Sequence, residues 1–149
     1  MYDFVLLLHS WLRWVVVILA VLVLFRALMG VMNKSSFTAT DNKTSLFFMI
    51  SCDVQLLIGL LLYVFLSPIT ATAFQDFGVA MKDPALRYFA VEHLSMMLIA
   101  LVLVHIGRSR SKKAATDLAK HKALLIYFGI AVLLMLASIP WTTRPLFRM

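Results

Sequence analysis

Several ionisable or amide side chains of this sequence lie inside long apolar stretches, where polar groups are costly. They are His9, Arg13, Asp53, Gln55, Glu92 and His93. An ionisable side chain near the centre of a bilayer costs at least about 2.5–3.5 kcal/mol on insertion scales. Each of these groups is therefore expected to face the interior of a helix bundle and to have a partner there.

The apolar stretches around these side chains indicate a membrane protein. The chain has 149 residues, of which 62% are hydrophobic and 14% are charged, and its mean hydropathy is +0.93. Soluble domains are about a quarter charged. The net charge of +7 is not carried by a basic stretch interleaved with aromatic residues, so nucleic acid is excluded as a partner. The expected surroundings of the chain are the lipid bilayer.

Four segments of the sequence are long enough to cross a bilayer, which takes about twenty apolar residues as a helix. They lie at about 4–30, 44–66, 85–107 and 122–140. The first run follows Met-Tyr-Asp rather than a basic start and is too long for a cleaved signal peptide, so it is predicted to be retained. The predicted fold is all-α, with residues 1–149 forming a single four-helix transmembrane bundle.

Basic residues gather on one side of this predicted bundle. The connection between the third and fourth helices carries Arg108, Arg110, Lys112, Lys113, Lys120 and Lys122. Because basic connections stay in the cytoplasm, both termini are expected on the periplasmic side of a bacterial inner membrane. His121 lies in this connection and is expected to contact water. The connection at 67–83 is expected to lie on the bilayer or to cap the bundle.

Helix geometry places two histidines at similar depths. His9 precedes Arg26 by seventeen residues and His93 precedes Arg108 by fifteen. At about 1.5 Å per residue these separations are about 25 Å and about 22 Å. Both histidines are therefore expected in the outer half of the bilayer.

Helical spacing also predicts which side chains share a face. His9 and Arg13 are one turn apart on the first segment, and residues at this spacing lie on one face. Gln55, Gly59 and Tyr63 share a face of the second segment in the same way. A glycine on such a face permits close approach of another helix or of a flat ligand.

One interpretation of these groups is a b-type haem. Two histidines at equal depth on two helices can ligate a haem iron from both sides. In this interpretation His9 and His93 are the metal ligands, Gly59 leaves room for the macrocycle, and Arg13 or Arg87 pairs with a propionate.

A second interpretation is a quinone or quinol pocket. Here His93 and Glu92 exchange protons with the head group. Arg13, Gln55 or Tyr63 then form hydrogen bonds with the carbonyl groups of the quinone.

Two further interpretations use the same side chains. A small metal ion could be held by His9, His93 and Glu92, although their spacing is not diagnostic. Alternatively, the groups are interhelical pairs that fix the register of the bundle, with Arg13 bonded to Glu92 or Asp53.

The sequence resembles a family of small four-helix membrane proteins found mainly in Bacteroidetes, whose members often carry the label "cytochrome b". The matching strings are HSWLRW (9–14), QLLIGLLLY (55–63), RYFAVEHLSMMLIALVLVHIGRSRSKKA (87–114) and IPW (139–141). They occur in the family's order and are distributed from residue 9 to residue 141. The resemblance implies the same four-helix fold.

The family pattern also implies a set of site residues. They are His9, Ser10, Arg13, Gln55, Gly59, Tyr63, Arg87, Glu92, His93, Arg108 and Trp141. The chain departs from the pattern at Asp53, where members often have a histidine, which weakens any haem that involves the second helix. A haem held by His9 and His93 is unaffected by this departure.

The predicted function is a redox-associated membrane subunit with a haem or quinone site in the outer half of the bilayer. The alternative is a non-catalytic accessory subunit that stabilises a larger, respiratory-type membrane complex. Other membrane subunits or further copies of the chain are the expected protein partners. Any electron donor would be another chain or a quinol, because the sequence contains no nucleotide, flavin or iron–sulfur motif.

Overall fold

The computed structural model describes residues 1–141, and within them every regular element is helical. The α-helices are α1 (Tyr2–Asn33), α2 (Ala39–Leu61), α3 (Pro68–Gln75), α4 (Phe77–Ala80), α5 (Pro84–Arg87), α6 (His93–Lys113) and α7 (Asp117–Ala137). Two π-helical segments, Leu62–Leu66 and Tyr88–Glu92, continue α2 and precede α6. Residues 142–149 of the predicted domain lie outside the described residues.

Among the described residues, four helices are long and apolar enough to cross a membrane. They are Tyr2–Asn33, Ala39–Leu66, Pro84–Lys113 and Asp117–Ala137. The second and third of these include the π-helical segments. For the described residues, the prediction of an all-helical protein with four helices long and apolar enough to span a membrane is confirmed.

Polar capping groups place the helix ends differently from the hydropathy pattern. The side chain of Thr38 accepts from the backbone N–H of Asp41, and the Asp41 carboxylate accepts from that of Thr38, so α2 begins at Ala39 rather than near 44. The side chain of Thr116 accepts a hydrogen bond from the backbone N–H of Ala119, and α7 therefore begins at Asp117 rather than near 122. These first turns are polar, and a hydropathy window therefore misses them.

The third long helix does not end at Gly107 as the sequence suggested. It continues to Lys113, because basic residues are good helix formers and favour the C-terminal end of a helix dipole. Gly107 instead lets α6 and α7 pack closely, since a Cβ atom placed there would lie 2.6 Å from the Cβ of Tyr127.

His121 is buried, so the expectation that it contacts water is wrong. Its side chain is only 1% exposed, because the early start of α7 places it inside a helix. The imidazole lies against Gly30, where an added Cβ would overlap the ring. The Phe37 ring lies on its other side at a centroid distance of 5.0 Å.

The two ends of the bundle differ in construction. One end, which we call the capped end, carries the short helices α3, α4 and α5; the connection at 67–83 thus folds into short helices over the bundle. The alanines Ala73, Ala80 and Ala90 form a small buried cluster there. The other end, the basic end, carries Lys112 and Lys113, and the main apolar core lies nearer to it around Phe48 and Phe128, whose rings are 5.0 Å apart.

Candidate functional site

The two π-helical segments face each other at the capped end. The Tyr63 hydroxyl, on the first segment, donates a 2.6 Å hydrogen bond to the carbonyl of Ala90, on the second. The Thr70 hydroxyl donates a 2.7 Å hydrogen bond to the carbonyl of Tyr63. Side chains therefore bond backbone carbonyls at the places where the helix changes its pitch. Such π-helical turns are rare in proteins, and those that occur are often found at functional sites.

A cleft of about 260 Å³ opens between the four long helices next to these segments. Its polar lining lies towards the capped end and includes His9, Ser10, Arg13, Gln55, Tyr63, Thr70 and His93. Towards the basic end the lining is apolar, with Ala20, Leu24, Leu101 and Val132 among its members. The cleft is thus amphiphilic along its length.

One wall of the cleft joins α1 to α2 through an amide. Nε2 of Gln55 donates a 2.9 Å hydrogen bond to the backbone carbonyl of His9. Oε1 of Gln55 and Nδ1 of His9 are buried and have no hydrogen-bond partner among the described residues. Because buried polar atoms are almost always satisfied, these two atoms indicate a place where a further polar group is accommodated.

Gly59 forms the floor beneath the His9 ring. A Cβ atom at Gly59 would lie 3.1 Å from Cε1 of His9. In the haem interpretation of the sequence, Gly59 leaves room for the macrocycle. In the structure the imidazole of His9 itself occupies that space.

The opposite wall fixes the second histidine. Nδ1 of His93 lies 2.9 Å from the backbone carbonyl of Ser138, so Nδ1 carries the proton and Nε2 keeps its lone pair. The Tyr88 hydroxyl donates to the same carbonyl. The hydroxyl of Ser138, which is fully buried, donates to Sδ of Met96 at 3.1 Å. His93 is therefore held in one orientation by α7.

The predicted carboxylate partners of Arg13 are bonded elsewhere. Glu92 forms a 2.7 Å ion pair with Arg87, and neither residue lines the cleft. Asp53 forms a 2.8 Å pair with His105 on α6. Arg13 lines the cleft, and its guanidinium lies 5.4 Å from the centre of the Trp14 ring.

The histidines and Glu92 do not form a three-ligand set. Within residues 1–141, no group of three or more His, Cys, Asp or Glu side chains is arranged to hold a metal ion.

Six of the eight predicted site residues line one cleft, and Arg87 and Glu92 pair outside it. Helical spacing in the sequence was enough to predict that these six residues lie together. The Arg87–Glu92 pair could not be predicted in this way, because it depends on the π-helical turn between the two residues.

Three residues implied only by the resemblance have separate locations. Ser10 is buried in the cleft lining. Arg108 is buried outside the cleft, where Nη1 donates a 2.9 Å hydrogen bond to the hydroxyl of Ser45. Trp141 donates through its indole N–H to the carbonyl of Leu136 at 2.8 Å.

The two histidines are suitable ligands for a haem iron, but the cleft is small for a haem. Both histidines line one cleft, and the His93–carbonyl bond is of the kind that orients a metal-binding imidazole. The cleft volume of about 260 Å³ is below the roughly 300–1,000 Å³ of typical ligand pockets. A single ring with a chain is therefore a better fit than a macrocycle.

Comparison of the chain with models of protein families, with curated proteins and with solved structures finds no match. The resemblance to the Bacteroidetes family therefore stays a prediction.

Proposed function

We propose that this chain is a redox-associated integral membrane subunit whose cleft binds the head group of a quinone or quinol. The observation that carries the proposal is the amphiphilic cleft, with its two unsatisfied polar atoms on His9 and Gln55. A lipid-soluble molecule with a polar ring and an apolar chain matches both ends of it. The proposed location is a bacterial inner membrane, with the capped end on the periplasmic side.

The side chains define how a head group would be held. Since Nε2 of Gln55 is bonded to the His9 carbonyl, Oε1 is an acceptor and suits a quinol hydroxyl. The imidazole of His9 can accept or donate a proton at Nδ1. The apolar lining excludes water around these groups. A bound quinone supplies two-electron, two-proton redox chemistry, and the electrons pass to or from another subunit.

A b-type haem held by His9 and His93 is the second candidate. It is favoured by the orientation of His93, whose Nδ1 is bonded to the Ser138 carbonyl, and by the presence of both histidines in one cleft. The alternative of an accessory subunit is favoured by the pairs that already join helices, such as Gln55 with the His9 carbonyl and Asp53 with His105.

One purification tests the three possibilities. The wild-type chain is purified in mild detergent from quinone-rich membranes, and its lipid extract is analysed for quinone. We expect near-stoichiometric quinone that is lost in Gln55→Leu and His9→Leu. Glu92→Gln is the matched control, because Glu92 lies outside the cleft, and it should retain the quinone.

Other results would separate the alternatives. A sharp α-band in the dithionite-reduced minus oxidised spectrum, lost in His9→Ala and in His93→Ala, would establish haem instead. Stoichiometric partner chains without pigment or quinone would establish the accessory role. Quinone retained equally in all variants would contradict the proposed site.

A further inference from the structure

An acid–base pair lies on the outside of the bundle, away from the cleft. Oδ1 of Asp53, on α2, is 2.8 Å from Nε2 of His105, on α6. The two side chains remain 35% and 48% exposed. Ionisable groups in membrane-spanning helices almost always face the bundle interior or a water-filled cavity. This pair instead lies on the outer surface of residues 1–141, the described part of the chain.

The surroundings of the pair are apolar. Along α2 the exposed side chains of Ile50 and Leu57 lie one turn to either side of Asp53. Along α6 the exposed side chains of Val102 and Leu98 lie one and two turns from His105, both towards the capped end. We call the surface formed by Ile50, Asp53, Leu57, Leu98, Val102 and His105 the α2–α6 face. An ion pair half-exposed to hydrocarbon among such side chains is costly, so a protein surface is expected to cover it.

The two groups lie at different distances from the ends of their helices. Asp53 is fourteen residues after Ala39, the first residue of α2, and His105 is eight residues before Lys113, the last of α6. At about 1.5 Å per residue these separations are about 21 Å and about 12 Å. Asp53 therefore lies well inside α2, whereas His105 lies about one turn before Arg108, the first of the basic residues of α6.

We propose that a second copy of this chain packs on the α2–α6 face, with its two-fold axis along the membrane normal. Such an axis keeps depth unchanged and reverses the lateral order of the two groups. The carboxylate of Asp53 in each copy then faces the imidazole of His105 in the other copy. Two half-exposed pairs become one buried network of four groups in which carboxylates and imidazoles alternate.

Charge complementarity selects a second copy over an unrelated subunit. A two-fold interface is self-complementary, because each residue pair across it occurs twice. The α2–α6 face carries one acid and one base side by side, and so supplies its own complement. An unrelated subunit would need a matching pair at the same depth. The inference is independent of any ligand in the cleft.

Cross-linking between differently tagged chains tests the interface. In a Cys52→Ala background, one chain carries Leu57→Cys and the other Val102→Cys, because both positions are about one turn from the pair towards the capped end. A short bis-maleimide in native membranes should link the two tags efficiently. Ile18→Cys on α1 and Leu133→Cys on α7 are matched controls, since both side chains are at least as exposed as those tested.

A charge-reversal experiment tests the pairing itself. An Asp53→His chain presents two imidazoles, and a His105→Asp chain presents two carboxylates. Either chain alone should dimerise several-fold less than wild type. When the two are co-expressed, mixed dimers should form several-fold above the statistical share, because every acid then faces a base. If the pair only holds α2 to α6 within one chain, both variants lose that bond and no preference arises.

Two results would overturn the proposal. One is a link between the Leu57→Cys and Val102→Cys chains no stronger than in the Ile18→Cys and Leu133→Cys controls. The other is the absence of a mixed-dimer preference in chains that retain the wild-type melting temperature.

Discussion

At the scale of single residues, the candidate site is defined by which polar atoms are already satisfied. Gln55 uses its amide N–H on the His9 carbonyl and leaves its oxygen buried without a partner in the described part of the chain. His93 is the opposite case, since its Nδ1 bond to Ser138 leaves only Nε2 for chemistry. Two histidines that look equivalent in the sequence are therefore different in the structure.

Gly59 gives a prediction at this scale. In Gly59→Ala the new Cβ would lie 3.1 Å from Cε1 of His9, so the ring must move by a few tenths of an ångström. Helix propensity favours alanine by about 1 kcal/mol, and we expect the melting temperature to be unchanged or higher. Quinone affinity, measured by titration of the purified protein, should fall several-fold.

Gly129 provides the matched control for this substitution. A Cβ at Gly129 meets nothing within 4 Å, so Gly129→Ala should gain the same helix propensity and leave quinone affinity unchanged. Equal affinities in Gly59→Ala and Gly129→Ala would show that the His9 ring takes no part in binding.

At the scale of helices, side-chain caps fix where each element begins. The buried Asp41 carboxylate accepts hydrogen bonds from the backbone N–H and the hydroxyl of Thr38 at 2.8 and 2.7 Å. It also forms a 2.8 Å ion pair with Arg26 of α1. One residue thus starts α2 and joins it to α1.

Asp41→Ala should therefore destabilise the bundle more than a typical polar substitution. Loss of a capping interaction costs about 0.5–2 kcal/mol, and loss of a partly exposed ion pair adds about 0.2–1 kcal/mol. We expect a total of about 1–3 kcal/mol in reversible unfolding by denaturing detergent. Asp117→Ala is the control, because Asp117 lies in the first turn of α7 and its 3.4 Å ion pair is with Lys120 of the same helix; its cost should stay below about 1 kcal/mol. Equal costs would contradict the role of Asp41.

The helices could be predicted from the sequence, and their distortions could not. Apolar runs of about twenty residues indicated the spans directly. The π-helical segments change hydrogen-bond partners inside an apolar run, and no residue pattern marks them. They are stabilised by contacts between distant segments, such as Tyr63 with the Ala90 carbonyl. Consequently Arg87 and Glu92 could be named as polar residues, but their ion pair could not be foreseen.

At the scale of the whole molecule, the depth of a residue along its helix correctly predicted some contacts between helices. It placed His9 and His93 at one level, and both line the cleft. It did not show that the Asp53 carboxylate lies on the outside with His105, because the sequence does not fix how each helix is rotated about its axis. Rotation depends on the packing of neighbours, for example where Gly30 accommodates the buried His121.

The proposed orientation of the molecule, with its capped end on the periplasmic side, gives the last prediction. Lys82 is exposed at the capped end and Lys113 at the basic end. In a Cys52→Ala background, a membrane-impermeant maleimide should label Lys82→Cys in spheroplasts. It should label Lys113→Cys only after the membrane is permeabilised, because the cytoplasmic side retains the basic connection. The reverse pattern would place the capped end, and with it the polar part of the cleft, on the cytoplasmic side. Any protons exchanged at His9 would then come from the cytoplasm rather than the periplasm.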